Sequence, residues 1–302
     1  MNQNSITRYP MLLGAAVALA FSTLAVAQTA MFPSADAAAT ALVDAVQKPD
    51  DAALAKVLGP GWRSYVPTDN VDRDDVDAFL ASYKESHKIV TDGGTAHLEV
   101  GKAGWTLPMP IVQKGSQWTF DLKGAHDEII ARNIGRNELD TQQSILAFYD
   151  AERDYAQQDH NGDGVLEYAQ KFISTPGKQD GLYWESKDGG PDSPLGPRFA
   201  DGAVPKGGGE GYHGYHYRIL TAQGASAPGG AYTYIVGGRM RNGFAAIAWP
   251  MRYGETGVMT FMVSHDGVVF EKDLGKNGGV VAGAMKTFDP DSSWTEDKEL
   301  EQ

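Results

Sequence analysis

Residues 125–158, AHDEIIARNIGRNELDTQQSILAFYDAERDYAQQ, carry the longest helical pattern in the chain, and the last third that follows alternates as strands do. Ile145, Phe148, Tyr149 and Tyr155 recur near helical spacing, so one face of this helix has to be covered. Gly135 is its one candidate break. Downstream, YHYRILTA, AYTYIVGG, GFAAIAWP, GVMTFMVS and GVVFEKDL are separated by glycine-bearing turns, with Ser264-His265-Asp266-Gly267 as a hairpin signal. A long helix laid on an antiparallel meander is therefore expected over residues 124–288.

The N-terminal third reads as a second α+β unit, over residues 28–123. SADAAATALVDAVQ has helical spacing with Ser34 or Asp36 as cap, DDAALAKVLG stops at Gly59-Pro60-Gly61, and DRDDVDAFLASYKESHKI opens on acidic residues as a helix N-terminus favours. TAHLEV, GWTLPMPIVQK and SQWTFDLK then read as strands, the last two joined at Lys114-Gly115-Ser116. Within the second unit, between its long helix and its strands, residues 174–211 hold 10 glycines and 5 prolines, a density that predicts a long functional or mobile loop, tethered to the core by Trp184.

The ends bear on where the chain works. Arg8, an apolar run from Met11 and the small residues Ala25-Val26-Ala27 have the layout of a secretory signal peptide over residues 1–27, cut after Ala27. A periplasmic or secreted protein is expected, with no transmembrane segment after cleavage. The chain has no cysteine, which excludes disulfides, thiol catalysis and thiolate metal sites. Its net charge is −13, and loss of residues 1–27, whose single charge is Arg8, makes it one more negative. Such a surface repels nucleic acid and anionic lipid. Residues 289–302 read as an acidic, solvated tail.

The best chemical signal is QDHNGDGVLEY, residues 158–168. In an EF-hand register Asp159, Asn161 and Asp163 take positions one, three and five, Gly164 takes six, Val165 offers its carbonyl at seven and Glu167 falls at nine. Calcium, a hard cation, needs six to eight oxygens from such a curved backbone. Position twelve is Gln170 in place of the usual bidentate Glu, so a Ca2+ site formed by Asp159, Asn161, Asp163, Val165 and Glu167 would be structural and weak, with a Kd of about 10⁻⁴ to 10⁻³ M. The competing reading is a turn held by Asx hydrogen bonds, with Gly162 and Gly164 at positive φ.

Other constellations are poor. His213 and His216 are three apart, which on a strand sends them to opposite faces. Ser226 lacks the closing glycine of a nucleophile elbow, and the glycines around Gly209 lack the lysine of a phosphate loop. Tyr215 with Tyr217, and Tyr232 with Tyr234, form stripes that suit a core better than a stacking platform.

Three resemblances bear on this reading. The N-terminal unit looks like the cone-shaped fold of the nuclear transport factor 2 superfamily. AWPMRYGETGVMTFMVSHDGVVFE resembles the closing sheet of pilin and pseudopilin heads, a likeness of head architecture alone. Over NIGRNELDTQQSILAFYDAERDYAQQDHNGDGVLEYAQKFISTPGKQDGLYW, SPLGP, GYHGYHYRILTAQGASAPGGAYTYIVGGRM and GVMTFMVSHDGVVFEKDLG, the chain is similar to the bacterial exported family catalogued as domain of unknown function 2950. That likeness implies export and a shared architecture, and carries over no catalytic residue. The expected function is a non-enzymatic periplasmic or envelope binding or scaffolding module, its partner an envelope protein or glycan. The alternative is an envelope polysaccharide hydrolase with its site under the loop at 174–211.

Overall fold

The computed structural model describes residues 29–48, 50–67, 71–186, 192–203 and 211–297. The expected signal peptide, residues 187–191 and 204–210 of the glycine- and proline-rich region, and the end of the acidic tail lie outside the described residues. The fold is mixed α+β, in two compact units: Met1–Thr106 with Ile111–Phe120, and Leu107–Pro110 with Asp121–Gln302. The expected boundary at 123/124 falls within the first turn of the long helix.

In the first unit, α1 (Ala35–Val46) starts at Ser34, whose hydroxyl accepts the Ala37 N–H at 3.1 Å. Its buried stripe, with Ala38, Leu42 and Val43, packs on α2 (Asp51–Leu58) and on the strands β4 (Ile111–Lys114) and β5 (Gln117–Phe120). α3 (Arg73–Glu85) opens with a reciprocal capping box between Asp72 and Asp75. The helical reading of residues 86–89 is corrected: Ser86 is extended, and β1 (His87–Asp92), rich in β-branched residues, pairs antiparallel with β2 (Thr95–Val100). Pro108 and Pro110 break the expected GWTLPMPIVQK strand into β3 (Trp105–Thr106) and β4, since proline cannot donate to a ladder. The sheet order is β1-β2-β4-β5, with β3 beside β2 and Ala96, Leu98, Val100, Ile111 and Phe120 buried.

The second unit is organised by α4 (Leu122–Tyr155), which runs unbroken through Gly135. Thr141, Ser144, Ile145, Phe148, Ala151, Glu152 and Tyr155 are buried at helical spacing. They face a five-stranded sheet of order β15-β13-β12-β11-β6: β6 (Tyr215–Leu220), β11 (Ala245–Pro250), β12 (Met259–Ser264), β13 (Val269–Asp273) and β15 (Thr295–Glu296). The Ser264–Gly267 turn joins β12 to β13 as expected, with Gly267 donating to the Ser264 carbonyl at 2.9 Å.

The meander is less regular than its sequence. β7 (Ala222–Gln223) and β8 (Tyr232–Thr233) leave it for a three-stranded sheet in which β7 pairs with both β8 and β14 (Thr287–Phe288), while β9 (Ile235–Val236) and β10 (Arg239–Met240) form a separate hairpin. Two short helices complete the unit, α5 (Pro197–Ala203) on β6 and α6 (Gly278–Ala284) on β11. The acidic tail is corrected in part: Thr295 and Glu296 join the sheet edge, and Asp297 donates to the Val269 carbonyl.

Candidate functional site

α4 ends at Tyr155, and the acidic loop begins four residues on. Gly162 and Gly164 have φ of +76° and +80°, which lets the backbone curl round the Asp159 carboxylate. Asp159 Oδ1 accepts N–H groups from Asn161 and Gly162 at 3.2 and 2.8 Å, and Oδ2 accepts that of Gly164 at 2.6 Å. These bonds, led by that of Gly164, hold its carboxyl below the usual range. Asn161 Oδ1 accepts the Asp163 N–H, and Asp163 Oδ1 the Val165 N–H, so one Asx turn nests in the next.

The five residues expected to hold calcium are thus adjacent, but the side-chain oxygens of Asp159, Asn161 and Asp163 and one of Glu167 are engaged. The Arg239 guanidinium grips Asp163 through both carboxylate oxygens, 2.7 Å on Oδ1, and lowers its pKa. Asn161 Nδ2 donates to Glu167 Oε1 at 3.0 Å. At position twelve, Gln170 Nε2 donates outward to the Gly238 carbonyl at 3.0 Å. No exit helix follows; Tyr168 pairs with Met240 as an antiparallel bridge, which docks the loop on the β9–β10 hairpin. Among the described residues no three His, Asp and Glu side chains are grouped to hold a metal ion. The set suits a divalent cation only with Arg239 withdrawn from Asp163.

Beside the loop lies a cleft of about 370 Å³, lined by Asp154, Gln157, Gln158, His160, Trp184 and Asp192 among others. The His160 ring stacks on Tyr155 at 4.0 Å between centroids, and Trp184 stands 5.5 Å from it. His160 Nε2 lies 3.0 Å from the Tyr155 carbonyl and Nδ1 3.4 Å from Gln179 Oε1, so the ring is held from both sides. Trp184 also lines a shallower cleft of about 280 Å³ with Glu185 and Ser186. The segment carrying Trp184 is bound into the unit: Leu182 and Tyr183 donate to the Lys171 and Phe172 carbonyls at 3.0 and 2.8 Å, and Leu182 is fully buried.

About one turn before Tyr155 on α4, Glu152 is completely buried. One carboxyl oxygen accepts the Ala169 N–H at 2.8 Å and the other, Oε1, has no hydrogen-bond partner. Burial raises its pKa well above the usual range, against the lowering effect of the Ala169 hydrogen bond.

Sequence reasoning passed over Glu152 and Arg239. Only its helical register beside Ala151 and Tyr155 marks Glu152 as inward, and nothing local marks Arg239, 76 residues from Asp163. The two histidines part, but not as neighbours on one strand: His213 lies in a turn ahead of β6, with φ +51° and Nδ1 3.2 Å from Asp140, whereas His216 is in β6 and packs on Trp249. Tyr215, Tyr217 and Tyr234 are core residues, at 0%, 5% and 0% exposure.

The model of a family described as Protein of unknown function (DUF2950) matches residues 29–296. Neither the curated proteins nor the solved structures compared with the chain give a match.

Proposed function

The chain belongs to the family described as Protein of unknown function (DUF2950), whose description assigns no activity; we propose that it is an exported, non-catalytic binding module whose ligand cleft lies between the end of α4 and Trp184. One observation carries this reading: the cleft is lined by three neighbouring rings, His160 stacked on Tyr155 with Trp184 tilted beside it, and by the polar groups of Gln157, Gln158 and Ser193. Rings with flanking amides and hydroxyls suit a polar ligand with flat apolar faces, as sugars have. The lining includes Asp154 and Asp192 and, among the described residues, no lysine or arginine, a balance that favours a neutral or cationic ligand over an anionic one. A neutral or amino-sugar glycan of the envelope fits these terms.

The test is titration of the mature protein with a panel of soluble neutral and amino-sugar oligosaccharides, followed by tryptophan fluorescence and calorimetry. Saturable binding lost in Trp184→Ala, with the oligosaccharide recovered intact, is expected. Absence of binding across the panel, or binding untouched by Trp184→Ala, overturns it.

A hydrolytic reading draws on the same cleft because two carboxylates, Asp154 and Asp192, line it. Glycan turnover abolished by Asp154→Asn or Asp192→Asn decides for it. For the acidic loop we propose a clamp in which Ca2+, held by Asp159, Asn161, Asp163, Val165 and Glu167, competes with Arg239 for Asp163. A midpoint of thermal unfolding that rises with millimolar calcium, and does not in Asp163→Ala, supports the competition; an unchanged midpoint in both the wild type and Arg239→Met sinks it.

A further inference from the structure

β1 is the outermost strand of the first unit's sheet, and among the described residues it has β2 as its one partner. His87, Lys88, Val90, Thr91 and Asp92 are exposed and Ile89 is half-buried. An edge of six residues with β-branched side chains at its centre is a template for another strand, and proteins usually blunt such edges with lysine, proline or a bulge. β1 carries Lys88 but no proline or bulge, and pairs in unbroken register with β2 from His87↔Val100 to Asp92↔Thr95.

Parity says which backbone groups are free. The two-residue turn Gly93-Gly94, with Gly93 at φ +57°, closes on the pair Asp92↔Thr95. In such a hairpin the closing pair is hydrogen-bonded, so Lys88, Val90 and Asp92 aim their N–H and C=O groups at β2. Ile89 and Thr91 therefore present theirs to the open edge. On the side chains' own faces, Ile89 and Thr91 stand opposite the buried Leu98 and Ala96, which puts Lys88, Val90 and Asp92 on the solvent face.

We propose that β1 is a self-pairing edge, joining two copies of this chain antiparallel about Val90. A twofold axis at Val90 makes Ile89 and Thr91 of one copy hydrogen-bonded partners of Thr91 and Ile89 of the other, which uses the outward groups on both. The same register sets Val90, 38% exposed, against its own counterpart, and sets Lys88 against Asp92 twice. Shifting the axis by one residue in either direction sets Val90 against Lys88 or against Asp92 and leaves the opposite charge without a partner, so charge selects one register. Lys88, which reaches Glu99 on its own sheet at 2.8 Å, would then lie between two carboxylates. A strand of this length joins few residues, so the dimer forms with rising concentration and is not permanent.

The absence of native cysteine makes the register directly readable. Opposed residues of a non-hydrogen-bonded antiparallel pair have Cα atoms about 4.5 Å apart, within disulfide reach. Val90→Cys in the mature chain should therefore form a disulfide-linked dimer on mild oxidation at least tenfold faster than Ile89→Cys, whose counterpart lies beyond the reach of about 7 Å. Adding Asp92→Lys to Val90→Cys sets like charges across the junction and should abolish that advantage; adding Lys88→Asp as well should restore it. Thr91→Pro, which removes an outward N–H and no bond within the sheet, should lower the weight-average mass in sedimentation at high concentration to that of the monomer, with an unchanged circular dichroism spectrum. Equal cross-linking at positions 89 and 90, indifference to Asp92→Lys, or a mass unaffected by Thr91→Pro overturns the proposal.

Discussion

Arg239 holds Asp163 with a two-pronged guanidinium–carboxylate pair across 76 residues of chain, and by it an acidic loop is fastened to the β9–β10 hairpin. The nested Asx turns give the loop its shape from within, while Arg239 supplies a cation from outside, close enough to be influenced by Glu167 and Asp159 as well. Both partners are about one-third exposed, so salt and water weaken the pair. Arg239→Met should lower the thermal midpoint slightly, by an amount that shrinks with added salt. A double-mutant cycle with Asp163→Asn should show less than additive loss. Strict additivity would mean that the two side chains do not act together.

Glu152 predicts a pH dependence of stability. Its pKa is higher folded than unfolded because burial disfavours the charge, so its contribution is fully present below about pH 4.3 and is lost as pH rises through the raised folded value. Glu152→Gln keeps an acceptor for the Ala169 N–H and cannot ionise. Denaturation midpoints measured from pH 4 to pH 9 should fall less with rising pH for Glu152→Gln than for the wild type; parallel curves would refute the assignment. Glu152→Ala leaves the Ala169 N–H without its acceptor and should cost about 1–3 kcal/mol.

Asp180 predicts a contribution to the acid limb. Burial works to raise its pKa, but Lys171 at 2.7 Å and two hydrogen bonds from Thr175 outweigh it and bring the carboxyl down to about 2. A depressed folded pKa means stability present above the unfolded value of about 3.9 and lost as pH falls toward 2. Asp180→Asn should flatten the acid unfolding curve in that window, and an unchanged curve would assign acid sensitivity to other carboxylates.

Much of the fold is legible in the chain because its signals are local. Ser34, Gly59 and the Ser264–Gly267 turn sit where cap and turn chemistry place them, and the buried stripe of α4 follows its spacing. β1 was hidden because SHKI continues the helical spacing of α3, and only the β-branched residues beyond it and the Gly93-Gly94 turn argue for a strand. The divergence of β7, β8, β9 and β10 from the meander depends on pairings such as Thr287↔Ala222, which no short window carries. The acidic loop was visible residue by residue, whereas its cation partner and the ring wall of the cleft come together only in space.

Gly135 tests how far local propensity was overruled. In the middle of α4 it has no atom within 4 Å of where a Cβ would stand and no positive φ, so nothing in its surroundings requires glycine. The helix stays continuous there because its flanks are held: Thr141 onward packs on the sheet, and Ala125 is buried near the N-terminal end. Gly135→Ala should therefore stabilise the chain by about 0.5–1 kcal/mol through helix propensity and reduced freedom of the unfolded state. Gly257→Ala is its counterpart, since a Cβ there would overlap the hydroxyl of Tyr215, a fully buried side chain that donates to the Met259 carbonyl at 3.0 Å. That substitution should cost about 1–3 kcal/mol by overpacking. Paired denaturant titrations measure both, and a midpoint that falls with Gly135→Ala would mean that α4 needs a point of flexure at Gly135 within its continuous helix.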